Sequence, residues 1–352
     1  MEQGLFSAGN RYGVVPDKTK DIYWKRKLEI IKNMKTSVKD NKKILNIAVL
    51  GVAGCGKSSF VNTAITSLRE DKWRLYSKPR KNSSDESNSS DESSITQHFT
   101  SFEASTYFKE EPNVWFPTFI DVNGLENDNG DFNKAFLRAL FDGKIKEGED
   151  LNRLYDLYKG NTDNNRHSFF ENVISKRSEY LKIDRIIVVT SGDPSAPLPT
   201  HLFRCIRTVA NYVREIPIFG VMTKKDRFKE DTEILRRIDD FLCHLGITMD
   251  SFKWIANYCP DIKRVFQMNY HLTVFPYIDV PVLCFLTQVI SPKMRTYDHP
   301  PSPLEDSVWL RLLKTIIINV PYYVGWFFCL IFLLIMYYMI CDCFGIFLSP
   351  KK

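Results

Sequence analysis

The sequence lacks the cysteine and histidine patterns of disulfide-rich and zinc-binding domains. Its 8 cysteines are scattered along 352 residues without a CxxC pair, which indicates a reducing compartment and not a disulfide framework. The 6 histidines show no HExxH or comparable spacing, so a zinc site is not expected. No apolar run opens the chain, and we therefore expect no signal peptide.

The sequence also lacks the charge pattern of a nucleic-acid-binding protein. The formal net charge is only +6, and no arginine-rich stripe alternates with aromatic side chains, so nucleic acid is not an expected partner. Much of the positive charge lies in residues 1–43. Such a patch could face phosphates or an anionic membrane, although we favour a solvated helix face.

Charge is almost absent from the C-terminal end. Residues 315–341, TIIINVPYYVGWFFCLIFLLIMYYMIC, contain no charged side chain, and the run is longer than the roughly 20 residues that cross a bilayer. Arg311 and Lys314 precede it, and Lys351 and Lys352 follow it. The pattern predicts a transmembrane helix, with a buried core helix as the alternative. We expect a single-pass C-terminal anchor that leaves the preceding domain in the cytosol.

Hydrophobic periodicity predicts an α/β domain over residues 44–292, after a basic helical lead-in at 1–43. A linker at 293–314 leads to the predicted membrane helix, and residues 342–352 form a short tail. The predicted strands are 44–50, 98–108, 114–120, 185–190, 216–222 and 252–256. The predicted helices are 21–43, 57–68, 201–213, 232–245 and 280–290, with a looser helical pattern over 131–182. The alternation from Asp184 onward is typical of a mostly parallel sheet with helices on both faces.

Residues 82–94, NSSDESNSSDESS, form a low-complexity insert that contains SSDES twice. Such a composition cannot bury a core, so we expect a mobile loop. Acidic residues follow Ser83 and Ser89 by three positions, which suggests acidophilic phosphorylation, although a passive solvated loop is the simpler hypothesis. Added charge beside nucleotide phosphates would disfavour nucleotide binding.

A glycine-rich loop follows the first predicted strand. Residues 51–58, GVAGCGKS, fit the pattern GxxxxGK[ST]. Glycines let consecutive N–H groups point at phosphate oxygens, and the N-terminus of the next helix faces the same anion. Lys57 would reach the β- and γ-phosphates, and the Ser58 hydroxyl would ligate Mg²⁺. The predicted nucleotide-binding residues of this loop are Gly51, Gly54, Cys55, Gly56, Lys57, Ser58 and Ser59.

Two later stretches contain the residues predicted to bind the base of the nucleotide. IPIFGVMTKKDRF places Thr223, Lys224 and Asp226 at the end of a predicted strand, where ligands of open α/β sheets bind. The Asp226 carboxylate would accept two hydrogen bonds from guanine while the stem of Lys224 covers the ring. Adenine offers no matching pair of donors. Asn257, after FKWIA, is a candidate for contact with the base edge, with an ordinary turn asparagine as the alternative.

The stretch FPTFIDVNGLE concerns the metal and the γ-phosphate. Asp121 would hold Mg²⁺ through water, and the Gly124 amide would contact the γ-phosphate; Lys57 and Gly124 are therefore the predicted catalytic residues. Thr96 is the first candidate for the hydroxyl that closes over Mg²⁺, with Ser93 and Ser94 as alternates. A plain polar loop residue is an equal alternative at that position.

Leu125 follows Gly124, where Ras-like GTPases place the glutamine that positions the attacking water. An aliphatic side chain cannot orient water, so we expect slow intrinsic turnover. Association of two copies through their G domains, or a partner that supplies charge to the transition state, would raise the rate.

Together these stretches resemble the interferon-induced protein 44 family of P-loop GTPases, over residues 25–292. The resemblance is carried by KLEIIKNMKTSVKDNKKI, GVAGCGKSSFVN, DVNGLE and IANYCPD. It implies a P-loop NTPase G domain, binding of GTP or GDP with Mg²⁺, and a link to innate immune responses. The alternatives are a membrane adaptor whose nucleotide is structural and never hydrolysed, and an ATPase.

Overall fold

The computed structural model describes residues 22–41, 43–69, 76–77, 99–108, 114–122, 124–149, 151–160, 174, 180–258 and 274–291. The chain divides into two units, Met1–Asp298 and His299–Lys352. The second unit, with the predicted membrane helix at 315–341, lies outside the described residues, as do the insert at 82–94 and Thr96. Among the helices that are described, none has both the length and the apolar composition that a membrane crossing needs.

The described strands form one sheet of six, in the order β2-β3-β1-β4-β5-β6. Neighbouring strands are parallel except for β2, which runs antiparallel to β3. The chain moves from β1 to β3 on one side and to β4 on the other, so the carboxyl end of β1 lies at a topological switch point. The strands are β1 (Asn46–Leu50), β2 (Thr100–Phe102), β3 (Thr118–Asp121), β4 (Arg185–Ser191), β5 (Ile218–Thr223) and β6 (Phe252–Trp254).

Helices cover both faces of this sheet. They are α1 (Ile22–Asn41), α2 (Lys57–Ser67), α3 (Ala104–Tyr107), α4 (Asp131–Phe141), α5 (Leu151–Gly160), α6 (Thr200–Arg214), α7 (Thr232–Leu245) and α8 (Pro276–Val289). Along β1, Ala48 and Leu50 pack with α4, α6 and α7, whereas Ile47 and Val49 pack with α1, α2 and α8. A parallel sheet covered on both faces requires such continuous apolar strands. The predicted α/β architecture, a mostly parallel sheet with helices on both faces, is confirmed.

Three predicted elements differ clearly from the structure. The stretch 98–108 is not one strand but the short β2 followed by α3, a turn that buries Tyr107 with its hydroxyl on the Pro117 carbonyl oxygen. The strand predicted from 114 begins only at Thr118, after a proline that cannot donate to a sheet ladder. Helix α8 begins at Pro276 and not at 280, because proline is well tolerated in the first helical turn.

The lead-in helix α1 is part of the domain core. Its side chains Ile31, Met34 and Val38 are buried against α2 and α8. The Lys27 Nζ atom also lies 2.8 Å from Asp279 Oδ2 on α8, with both side chains fully buried. We call this ion pair the Lys27–Asp279 hub. An ion pair without solvent access fixes α1 to α8, because separating the helices would leave a buried charge without its partner.

The hub also reaches helix α2 and the end of the sheet. Asp279 Oδ1 accepts hydrogen bonds from the Ser67 hydroxyl at 3.1 Å and from the Tyr258 hydroxyl at 3.0 Å. The Tyr258 N–H donates to Thr63 Oγ1 on α2. One carboxylate therefore joins α1, α2, α8 and the segment that follows β6.

Candidate functional site

The predicted motifs meet at one edge of the sheet. The glycine-rich loop follows β1, Asp121 ends β3, Thr223 ends β5, and Asn257 lies shortly after β6. Because these strands are parallel, their carboxyl ends face the same side, which is where open α/β sheets bind ligands. Residues that are far apart in the sequence thus line a common rim.

The glycine-rich loop has a backbone that only glycine adopts readily. Gly51, Gly54 and Gly56 have φ values of 153°, 73° and 97°. A β-carbon on Gly51 would lie 2.3 Å from the Val189 carbonyl oxygen, so the loop packs directly on β4. Helix α2 begins immediately after Gly56, and its first N–H groups have no partners within the helix. The curled loop and the helix N-terminus together have the backbone geometry that the pattern predicts for an anion site.

Lys57 lies across this loop. Its side chain is buried, and the ammonium group donates a hydrogen bond to the Val52 carbonyl oxygen at 2.8 Å. Among the described residues no carboxylate pairs directly with it. The ammonium can therefore turn to phosphate oxygens without breaking an ion pair.

Asp121 presents an unsatisfied carboxylate beside the loop. Its Oδ2 accepts a hydrogen bond from the Ser77 hydroxyl at 2.6 Å, whereas its buried Oδ1 has no hydrogen-bond partner in the described structure. Burial raises the pKa of Asp121, and the Ser77 and Ser58 hydroxyls and the Lys57 charge partly offset that rise. A carboxylate with a free oxygen next to hydroxyl groups is a donor set that Mg²⁺ prefers. Asp121 and Ser58 therefore fit the metal roles predicted for them.

We expect Asp121→Asn to stabilise the metal-free protein at pH 7 while abolishing divalent cation binding. Because the pKa of Asp121 is higher in the folded protein than in the unfolded chain, the unfolded chain loses this proton at a lower pH. The free energy of unfolding therefore falls as pH rises above the ordinary aspartate pKa of about 3.9. The melting temperature of the variant should exceed that of the wild type at pH 7, and the gap should narrow as pH falls. A variant that is less stable at pH 7, or a gap that does not change with pH, would contradict this account.

Gly124 and Leu125 lie directly against the glycine-rich loop. A β-carbon on Gly124 would lie 2.4 Å from the Ala53 nitrogen, and the Leu125 N–H donates to the Gly51 carbonyl oxygen at 3.2 Å. The Leu125 side chain is buried in the core. No side chain at position 125 therefore faces the rim to orient a water, and the expected slow turnover stays a prediction.

Thr223 contacts the glycine-rich loop. Its buried hydroxyl donates to the Cys55 carbonyl oxygen at 2.8 Å, which ties the end of β5 to the glycine-rich loop. Burial raises the pKa of the Cys55 thiol, and such a thiol is unreactive.

Lys224 and Asp226 stand in the turn that follows β5. Lys224 has a φ of 63°, which is an uncommon backbone conformation for a residue other than glycine. Its ammonium group lies 3.6 Å from Asp193 Oδ2. The Asp226 carboxylate is exposed, and the structure records no contact between it and another described side chain. It is therefore free to accept hydrogen bonds from a ligand.

Asn257 is buried at the same rim, and its Oδ1 has no hydrogen-bond partner among the described residues. A buried amide oxygen left without a donor costs stability. The edge of a purine base offers N–H donors, so the location is compatible with the predicted base contact. This distinguishes Asn257 from an ordinary exposed turn asparagine.

Sequence reasoning missed Ser77 and Asp193. Ser77 lies in a stretch without any motif, and only the folded chain brings its hydroxyl to Asp121. Asp193 follows β4 at the same edge as the other motifs, and that position is a signal that could have identified it. Hydrogen bonds from Ser195, together with the Lys224 charge, lower the pKa of Asp193. The Thr96 assignment lies outside the described residues and stays a prediction.

A scan of protein-family models and a search of curated proteins both find no match to this chain. Among solved structures, a dimerization-deficient mutant of Toc33 from Arabidopsis thaliana is 14% identical, with a TM-score of 0.39, and the match covers 78% of this chain and 94% of that chain. Toc33 in complex with Mg²⁺ and GMPPNP is 15% identical, with a TM-score of 0.39 and coverages of 78% and 95%. The complex with GDP and Mg²⁺ is 12% identical, with a TM-score of 0.37 and coverages of 79% and 96%. TM-scores of this size do not establish a shared fold, so the site is interpreted from its own geometry.

Proposed function

We propose that this chain is a G-domain protein that binds GTP or GDP with Mg²⁺ at the carboxyl edge of its sheet. The proposal is carried by one observation, which is that three chemically distinct groups meet at that edge. They are a curled loop with the Lys57 ammonium, an Asp121 carboxylate with a free oxygen, and an exposed Asp226 carboxylate. An anion, a divalent cation and a base with paired donors would each satisfy one of them.

Each group has a defined task in this proposal. The loop amides, the N-terminus of α2 and Lys57 bind the phosphates. Ser58 and Asp121 hold the cation, which neutralises phosphate charge when bound. The Gly124 amide contacts the γ-phosphate. Thr223 keeps the two halves of the rim together through its hydrogen bond to the loop.

The base is held at the other end of the rim. The Asp226 carboxylate accepts hydrogen bonds from the N1–H and the exocyclic amine of guanine, and the stem of Lys224 covers the ring. Asn257 contacts the base edge. Adenine would leave the carboxylate without donors, which disfavours ATP.

Hydrolysis is slow in this proposal, because a buried Leu125 leaves no side chain to position water. A second copy of the G domain, or another partner that supplies positive charge, accelerates it. The second candidate is a membrane adaptor whose nucleotide is structural; the same buried leucine favours it. Single-turnover phosphate release separates the two, since the adaptor releases none at any protein concentration or with membranes present.

We further propose that residues 315–341 anchor the chain in a membrane with the G domain in the cytosol, and that the protein serves innate immunity. The first rests on the length of the uncharged run. The second rests on the sequence resemblance to the interferon-induced protein 44 family. Carbonate-resistant membrane association that disappears when 315–341 are deleted supports the anchor, and unchanged association refutes it.

Lys57→Ala is expected to weaken GTP binding by roughly tenfold to a hundredfold, since a charge-assisted hydrogen bond contributes about 1.5–3 kcal/mol. Titration of the full-length chain with a fluorescent GTP derivative measures this change. Lys32→Ala removes an exposed lysine on α1 and serves as the matched control. Undiminished binding by Lys57→Ala would refute the proposed site, and ATP that outcompetes GTP would indicate an ATPase.

A further inference from the structure

Asn62 on α2 holds a short segment that none of the predicted motifs includes. This buried side chain accepts hydrogen bonds at Oδ1 from the backbone N–H groups of Tyr76 and Ser77, each at 2.8 Å. Its Nδ2 donates to the Ser77 carbonyl oxygen at 2.6 Å. Three hydrogen bonds from one side chain to two adjacent residues fix the backbone of residues 76–77 on α2.

The fixed backbone directs the Ser77 hydroxyl to the proposed cation site. Ser77 Oγ donates to Asp121 Oδ2 at 2.6 Å, and the Ser58 hydroxyl helps to offset the rise that burial causes in the pKa of this carboxyl. Ser77 is thus bound to one oxygen of the Asp121 carboxylate, while the other oxygen, the buried Oδ1, has no hydrogen-bond partner within the described residues. Oxygen donors of this kind are the ligands that Mg²⁺ prefers.

We propose that Ser77 supplies the second hydroxyl of the cation site and that Asn62 is the positioning residue that holds it there before nucleotide binds. This inference rests on the proposed function of the site. Asn62 contacts neither cation nor nucleotide and acts through the backbone of residues 76–77. Ordering a loop residue costs conformational entropy, and a contact that exists beforehand removes that cost from cation binding.

A purely structural role for Asn62 makes different predictions. In that case the three hydrogen bonds only attach the segment to α2, and the Ser77 hydroxyl only satisfies Asp121 in the absence of metal. Loss of either side chain would then reduce stability without changing cation affinity at fixed nucleotide occupancy. Thr96, the residue predicted for this role, provides a direct comparison.

The test measures Mn²⁺ affinity of the full-length chain loaded with GMPPNP, from the electron paramagnetic resonance signal of free Mn²⁺. We expect Ser77→Ala and Asn62→Ala each to weaken Mn²⁺ binding by about tenfold or more, as substitutions around metal ligands typically do. GMPPNP affinity without divalent cation should remain within about twofold of wild type, because the direct phosphate contacts are retained. Thr66→Val is the matched control, since Thr66 Oγ1 lies on the same helix without a hydrogen-bond partner in the described structure.

Wild-type Mn²⁺ affinity in both Ser77→Ala and Asn62→Ala would overturn the inference, as would a loss confined to Thr96→Ala. Ser77→Ala removes one half-buried hydroxyl and keeps the backbone contacts with Asn62. It therefore tests the role of the Ser77 hydroxyl in cation binding even if Asn62→Ala is unstable. A wild-type chain that fails to bind GMPPNP would instead refute the proposed function.

Hydrogen exchange of the nucleotide-free protein tests the positioning role independently. The amides of Tyr76 and Ser77 should be protected in the wild type and in Ser77→Ala, and should exchange fast in Asn62→Ala. Fast exchange of both amides in the wild type would show that Asn62 does not preset the segment, whatever the nucleotide experiments give.

Discussion

Replacing Lys27 with methionine is expected to lower the free energy of unfolding by about 3–5 kcal/mol, because it leaves a buried carboxylate without its cation. Lys27 and Asp279 are both fully buried at a separation of 2.8 Å. The Ser67 and Tyr258 hydroxyls would remain on Asp279, but neutral donors cannot replace a positive charge. Denaturant unfolding of the full-length chain, followed by tryptophan fluorescence, measures the loss.

The effect should depend on pH and on Asp279. Burial raises the pKa of Asp279, and Lys27 opposes that rise; without Lys27 the pKa rises further. A raised pKa favours the protonated native state, so the deficit should shrink as pH falls. Adding Asp279→Asn should recover part of the lost stability, whereas Lys32→Met on the exposed side of α1 should be neutral. A Lys27→Met variant within 1 kcal/mol of wild type would show that the hub is not a stabilising contact.

The hub also bears on how the domain can be shortened. A fragment that starts at residue 44, where the sequence predicts a domain boundary, would lose α1 and expose Asp279 without its ion pair. It would also uncover the apolar side chains of α2 and α8 that pack on α1. Helix α1 should therefore be kept in any fragment used for nucleotide binding.

Asp226→Asn is expected to change the base preference of the protein from guanine to xanthine. The carboxylate accepts two hydrogen bonds from guanine, each worth about 1.5–3 kcal/mol, so the loss corresponds to roughly a hundredfold or more in GTP affinity. The asparagine amide can donate to the xanthine oxygen that replaces the guanine amine. Competition of GTP and XTP for the labelled full-length chain measures the exchange.

The variant should fold normally, since the Asp226 carboxylate is exposed and has no contact recorded within the described structure. Asp240→Asn changes a similarly exposed carboxylate on α7 and should leave the nucleotide preference intact. Unchanged GTP affinity in Asp226→Asn, or a loss of GTP without any gain of XTP, would remove the basis for guanine selection. The phosphates of a nucleotide with another base would then still be able to bind through Lys57.

Features that depend on local backbone geometry could be predicted from the sequence. The three glycines of the loop need positive φ values, and the pattern GxxxxGK[ST] reflects that need directly. Helix α7 was predicted over 232–245 and has those bounds in the structure, because its apolar stripe, its Asp231 cap and its terminal Gly246 are all local signals. The placement of motifs after strands then followed from the alternation of strands and helices.

Features that depend on partners distant in the sequence were decided by the tertiary structure alone. The predicted strand over 98–108 is instead the short β2 and α3, and the buried Tyr107 hydroxyl of α3 donates to the Pro117 carbonyl oxygen. The contacts of Asn62 with residues 76–77, of Ser77 with Asp121 and of Lys27 with Asp279 have no local signature. The sequence gives the chemical type of each side chain, whereas the packing of strands and helices determines which other group it contacts. The sequence by itself therefore determined the loop, the order of the motifs and the α/β class, and packing decided which hydroxyl faces the metal carboxylate and which helix completes the core.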